Sequence, residues 1–189
     1  MRISGSKSLR VPPSTRPTLG RARQALFDML AGGRFGDCLP RAIVIDGFAG
    51  SGALGLEAWR RGADKITCID KASSACKTIA SNIATIKADS AFSVICHDLT
   101  KPLPKSIGIH PATLIFLDPP WQHTGKSPDL AVLAIDQLLR AKCIAPAALV
   151  IIEYNARMPL VWADAHPQFT LEDKRNWGRV GVVCLRYKN

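Results

Sequence analysis

Residues 115–121 read Ile-Phe-Leu-Asp-Pro-Pro-Trp, an apolar, strand-like run that stops at an acid, two prolines and an indole ring. The carboxylate of Asp118 can accept hydrogen bonds from an amino group. Pro119 and Pro120 stiffen the backbone and leave carbonyls with no competing N–H at those positions. Trp121 offers a flat face to a planar ring. The four residues together form a clamp for a planar exocyclic amine, and they are the candidate catalytic residues of the chain.

A second constellation lies upstream. Asp46-Gly47-Phe48-Ala49-Gly50-Ser51-Gly52-Ala53-Leu54-Gly55 is entered from the apolar stretch Ala42–Ile45 and leads into Leu56-Glu57-Ala58-Trp59. Gly50, Gly52 and Gly55 satisfy the G-x-G-x-x-G spacing of dinucleotide folds, and Asp70 stands twenty residues after Gly50, where an acid meets a ribose diol. That spacing alone does not separate a nicotinamide dinucleotide from S-adenosylmethionine. Asp46 does: a carboxylate at the strand end repels a pyrophosphate but attracts the ammonium group of a methionine. Glycines at this spacing can also be a bare strand-to-helix turn, but acids flank them on both sides. The loop and the clamp in one chain imply an S-adenosylmethionine-dependent amino methyltransferase. An adenine N6 or a glutamine amide would suit the same clamp. Two readings from other classes are an NAD-dependent oxidoreductase and a non-catalytic RNA-binding module.

These groups need a scaffold, and the hydrophobic periodicity describes one. Arg21–Leu30 carries apolar residues at 22, 25, 26, 29 and 30, a helical stripe. Strands are expected at 42–46, 65–69, 92–96, 112–117 and 148–153, alternating with helices near 53–61, 72–86 and 128–142, which is the rhythm of a parallel, doubly wound sheet. Beyond Pro159 two extended runs, 168–175 and 180–187, flank Asn176-Trp177-Gly178 as a turn, an antiparallel hairpin at one sheet edge. In open α/β sheets ligands lie beyond the carboxyl ends of the strands. Asp46, Asp70, Asp98, Asp118 and Glu153 all fall at or just past such ends, although any one of them could be a helix N-cap.

Composition bounds the possibilities. The chain has 189 residues, 47% of them hydrophobic, enough for one well-buried domain over residues 19–189. No run of eighteen apolar residues and no signal-peptide core is present, so a soluble, cytoplasmic protein is expected, with no membrane partner. Six cysteines lack C-x-x-C pairing and read as reduced thiols, and four histidines show no ligand spacing, so no metal is expected. Lys and Arg number 25 against 15 acids, and Arg2, Lys7, Arg10, Arg16, Arg21 and Arg23 precede the first acid, Asp28. Residues 1–18, rich in Gly, Ser and Pro, read as a flexible basic arm suited to phosphates, though a solvated tail would look the same.

The chain resembles the RsmD family of bacterial small-subunit (16S) rRNA guanine-N2 methyltransferases. The likeness rests on the opening Met-Arg-Ile, Thr15-Arg16-Pro17-Thr18, Arg21-x-Arg23-x-Ala25-Leu26-Phe27, the block from Phe48 to Ala58 and Leu117-Asp118-Pro119-Pro120. It implies a Rossmann-like class I methyltransferase fold with a mostly parallel seven-stranded sheet, a monomer, and 16S rRNA or the small ribosomal subunit as partner. It also implies that Asp46 and the loop residues Phe48, Ala49, Gly50, Ser51 and Gly52 hold the methionine part of the cofactor. Asp70 would take its ribose, Asp98 its adenine amine, and Asp118–Trp121 the target base, with Lys71 a further cofactor-binding residue. Trp121 stands where Tyr or Phe is commoner, and the stretch Gly5–Leu9 is shorter than the Gly-Arg-rich segment of other members.

Overall fold

The structure, a computed structural model, describes residues 19–104, 109–121, 130–157 and 167–188. The chain runs α1 (Leu19–Ala31), β1 (Ile43–Gly47), α2 (Ala53–Arg60), β2 (Lys65–Asp70), α3 (Ser73–Ile86), β3 (Phe92–Cys96), β4 (Ala112–Leu117), α4 (Leu130–Arg140), β5 (Ile144–Asn155), β6 (Phe169–Trp177) and β7 (Val180–Tyr187). The seven strands form one sheet in the order β3-β2-β1-β4-β5-β7-β6. The first five are parallel; β7 runs antiparallel between β5 and β6. The mostly parallel sheet with its C-terminal hairpin is therefore as expected.

Each central strand buries both faces. On β1, Val44 belongs to the core under α1, α2 and α3, while Ile45 belongs to the core under α4; β4 alternates in the same way through Leu114, Ile115, Phe116 and Leu117. Burial on both sides explains why these strands read as near-continuous apolar runs. Helix α1 lies on the first face, with the Phe27 ring centroid 5.5 Å from that of Phe116. Arg61 fastens it to the end of α2: its guanidinium donates to the Phe27 carbonyl at 3.2 Å, to Glu57 at 2.9 Å and to Asp28 at 3.3 Å.

Two boundaries differ from the periodicity by more than the one or two residues seen elsewhere, or change the reading of a turn. β5 begins at Ile144, four residues before the run at 148–153, because Pro146 and the left-handed Ala147 (φ 56°) hide its start; the register with β4 is irregular there, between Ala112 and Leu114. The hairpin turn also falls later. Trp177 pairs with Val180, so the loop is Gly178-Arg179, and the positive φ of Gly178 (66°) suits the first position of a tight two-residue connection.

Next to that hairpin, Gly181 pairs with Tyr154, whose ring covers it so closely that a methyl group would lie inside the ring's van der Waals envelope. The Tyr154 hydroxyl is held by the Asn176 amide oxygen at 3.2 Å, which leaves the ring little room to retreat. Gly181→Ala is accordingly expected to cost about 1–3 kcal/mol of stability, read as a lower urea midpoint. Adding Tyr154→Leu should recover part of the loss; a double variant no better than the sum of its parts would show that the crowding is not between these two residues.

Candidate active site

The order of strands reverses between β1 and β4, and this switch point is where the loop and the clamp meet. The Asp118 backbone N–H donates to the Gly47 carbonyl at 3.3 Å, so the clamp begins on the residue that opens the glycine loop. Phe48 takes the left-handed region (φ 59°), as do Gly50 and Gly52 (57° and 75°), and the tight turn closes with Gly52 N–H on the Ala49 carbonyl at 2.7 Å. Ser51 is buried, and its carbonyl accepts from Asn82 of α3 at 3.0 Å. Sequence reading missed Asn82. Its signal was one amide on the otherwise apolar buried face formed by Ala75, Ile79 and Ile83.

Four acids share one face of the sheet edge. Asp46, Asp70, Asp118 and Glu153 continue the alternation of Val44, Cys68, Phe116 and Ile151, all of which lie under α1–α3. Asp70 bridges two segments: one oxygen accepts from Gly50 N–H and the other from Ala72 N–H, both at 2.8 Å. Lys71 follows Asp70 directly, two residues before α3. Asp46 is only 1% exposed. One of its oxygens accepts from Gly55 N–H at 2.8 Å, yet burial, followed by the charges of Asp118 and Asp70, pushes its carboxyl up to about 8. Burial lifts half-buried Asp118 to about 6. Glu153, which the sequence places at a strand end but not in a site, is lifted to about 8 by burial and by Asp118. Asp98 differs: Thr100 donates to it through hydroxyl and backbone at 2.7 and 3.0 Å, and the hydroxyl bond above all holds it below the usual carboxylate range.

The remaining candidates divide. Pro119 is buried, Pro120 exposed, and half-buried Trp121 packs on the core under α1–α3. Arg21 is exposed on α1. Arg23 is half-buried, its guanidinium pKa lowered by burial and partly restored by Glu57, the same acid that holds Arg61. Arg2, Lys7, Arg10 and Arg16 lie outside the described residues. Among the described residues no helix is long and apolar enough to cross a membrane, and no cluster of three His, Cys, Asp or Glu could hold a metal ion.

Raised carboxyl values carry a stability consequence. Asp46, Asp118 and Glu153 bind protons more tightly folded than unfolded, so their contribution is complete below the ordinary range near 4 and is lost as pH rises towards 8. The melting temperature should fall over that interval in the absence of ligand. Asp46→Asn keeps an acceptor for Gly55 without the charge, and should melt higher than the natural chain at pH 8 but not at pH 5; parallel pH profiles would show that the buried charge is not the cause.

Comparison with known proteins agrees with this fold. A family model described as conserved hypothetical protein 95 matches residues 1–186. Ribosomal RNA small subunit methyltransferase D of Haemophilus influenzae is 30% identical over 176 residues, 92% of this chain and 83% of that one. A solved conserved hypothetical protein from Streptococcus pyogenes superimposes with a TM-score of 0.70 at 25% identity, covering 88% of this chain and 95% of that chain. Ribosomal protein L11 methylase from Lactobacillus delbrueckii subsp. bulgaricus, 15% identical, shares the fold with a TM-score of 0.72 over 96% and 86% of the two chains. The fold is the Rossmann-like class I methyltransferase fold, and the chain belongs to the conserved hypothetical protein 95 family, the RsmD family that its own motifs resemble.

Proposed function

We propose that the protein transfers a methyl group from S-adenosylmethionine to the exocyclic N2 amine of a guanine in small-subunit (16S) ribosomal RNA. The observation that carries this reading is the junction of loop and clamp, where Asp118 is pinned to Gly47 and the acceptors for an amine adjoin a glycine-rich cofactor loop. The rRNA substrate is supported by the name of the Haemophilus influenzae relative, and the guanine N2 target by the resemblance to the RsmD family.

The residues fit the cofactor. The buried Asp46 carboxylate is surrounded by Asp70 and Asp118 rather than by a cation, so an incoming ammonium group offsets its burial, whereas a pyrophosphate would add repulsion. That charge balance favours S-adenosylmethionine over a nicotinamide dinucleotide. Asp46 and residues 48–52 would hold the methionine portion. Asp70, with Lys71 beside it, would accept from the ribose hydroxyls, since a carboxylate has about four lone-pair sites and two are in use. Asp98, ionised and fixed by Thr100, would accept from the adenine amine. When bound, the cofactor supplies an electrophilic methyl group on sulfonium.

The protein's own task is orientation. The lone pair of guanine N2 is delocalised into the ring, which makes it a poor nucleophile. The Asp118 carboxylate and the Pro119 carbonyl would accept its two N–H bonds and turn the lone pair out of the ring plane, a fixed arrangement that acts by electrostatic preorganisation. Trp121 would stack on the extruded base, worth about 1–3 kcal/mol against the cost of unstacking. Asp118→Ala is expected to reduce radiolabel transfer to 16S rRNA by about a hundredfold or more. Affinity for S-adenosylhomocysteine by isothermal titration should stay close to that of the natural chain, and loss of that affinity in a folded variant would place Asp118 with the cofactor instead.

Basic residues at the start of the chain would bring the RNA. Arg2, Lys7, Arg10 and Arg16 would bind phosphates, Arg21 would extend that surface on α1, and half-buried Arg23 would join it from beside Glu57. Deleting residues 1–16 should weaken RNA binding and flatten its salt dependence by about 0.7–0.9 in log-log slope for each phosphate no longer neutralised, with cofactor affinity unchanged. An unaltered slope and an unaltered rate on the ribosomal substrate would make the arm a solvated tail.

A further inference from the structure

The clamp at the end of β4 has a second acid beside it. β4 and β5 are adjoining and parallel, with Leu117 paired to Ile152, so Asp118 and Glu153 are the next residues along the two strands. Both follow residues of the α1–α3 face at the preceding alternate position, Phe116 and Ile151, and so share that face. On the far side, Glu153 pairs with buried Val182 of β7. The other ionisable groups on this face are Asp46 of β1 and Asp70 and Cys68 of β2, beyond Asp118, the buried Cys184 thiol of β7, and Asp173 and Arg175 of β6, which pair with Cys184 and Val182 and bind each other at 2.9 Å; α1 brings the apolar Leu26, Phe27 and Leu30. Among the described residues no lysine or arginine forms an ion pair with Asp118 or Glu153. Two neighbouring carboxyls partly withdrawn from water without a counter-cation do not both ionise readily, and a shared site of this kind retains one proton.

We propose that Glu153 is a positioning residue of the clamp: it holds a proton and stands as a neutral carboxylic acid, so that the pair carries a single negative charge, placed on Asp118, when the amine docks. The inference rests on the reading of Asp118 as the acceptor of that amine. A neutral neighbour keeps Asp118 ionised at neutral pH and leaves it the only anionic acceptor, so the amine has one orientation. Were Glu153 ionised, the two N–H bonds would be drawn to two equivalent anions, and the lone-pair direction set by Asp118 and the Pro119 carbonyl would be lost. The pair also accounts for a proton. A nitrogen that gains a methyl group must shed one proton to become a neutral secondary amine. That proton passes to the Asp118 carboxylate, which becomes a carboxylic acid, and the pair goes from one negative charge to none before releasing the proton to water.

The test compares the natural chain with Glu153→Ala and Glu153→Gln. With cofactor saturating, kcat of the natural chain on its rRNA substrate should fall above about pH 8, where Glu153 ionises, by about tenfold per pH unit. Glu153→Ala should lower kcat by about tenfold or more. Glu153→Gln, a neutral group of the same shape, should recover most of that loss and lack the alkaline limb. Titration of Asp46 would appear in S-adenosylhomocysteine affinity, which should change with pH alike in all three chains. Infrared spectra at neutral pH, taken with Asp46→Asn in every chain so that its own raised carboxyl is silent, supply a readout free of turnover: a protonated-carboxyl band present with Glu153 should be missing from Glu153→Gln. An alkaline limb that persists in Glu153→Gln, or a band that persists, would overturn the proposal, as would Glu153→Gln being as poor as Glu153→Ala at every pH. The band present with Glu153 but no transfer to rRNA by the natural chain would refute the functional reading while leaving the protonated Glu153 in place.

Discussion

Asp46 sets a carboxylate where almost no water reaches it, and the surrounding architecture depends on how that charge is managed. A charge in such a place is costly unless paired or hydrogen-bonded. Here the first turn of α2 answers with a single N–H from Gly55, which can approach because Gly55 has no side chain; a methyl group there would meet Asp46 itself, Ile66 and Cys68. One neutral donor does not neutralise an anion whose other electrostatic neighbours, Asp70 and Asp118, are anions too. The site is therefore built short of positive charge, which is the condition that the proposed docking of a methionine ammonium group requires.

Topology concentrates the charges. Parallel strands end at one edge, and the reversal of order between β1 and β4 opens that edge to a ligand. Asp70 then does mechanical work as well as electrostatic: by accepting from Gly50 and Ala72 it ties the loop after β1 to the start of α3, while Asn82 holds the same loop from farther along that helix. The glycine loop is thus fixed from β2 and α3, and the clamp is fixed to it through Gly47. A loop held on both sides can present its donors without being ordered at the moment of binding, which is the condition for electrostatic preorganisation.

Much of this was legible in the chain because local and global demands agree. The strands at 42–46 and 112–117 are largely apolar on both faces and, like that at 65–69, meet an acid at or just past their ends, so periodicity and chemistry mark the same points, and the structure moves their bounds by a residue at most. Legibility failed where one residue serves two purposes. Pro146 reads as a strand breaker yet lies within β5, where the irregular register with β4 tolerates it. Trp177 reads as a turn residue beside Asn176 and Gly178, yet it pairs with Val180 and packs on the core. Arg23 reads only as a charge in a basic run; that it nears Glu57, seven-percent exposed and already bound by Arg61, depends on how α1 lies on α2, a tertiary fact no spacing encodes.

Glu153 is the instructive case among these. As a lone strand-end acid it is indistinguishable from a helix cap, and its significance comes only from the strand beside it. The two chain segments that carry Asp118 and Glu153 are separated by α4, and only the parallel pairing of Leu117 with Ile152 brings the acids level and onto one face. A shift of β5 by one residue would turn Glu153 to the α4 side, into the core of Ile135 and Leu138, where an acid would be intolerable. The hydrophobic alternation that fixes the register thus also fixes the spacing of the two carboxyls, so the electrostatics of the clamp are a consequence of core packing.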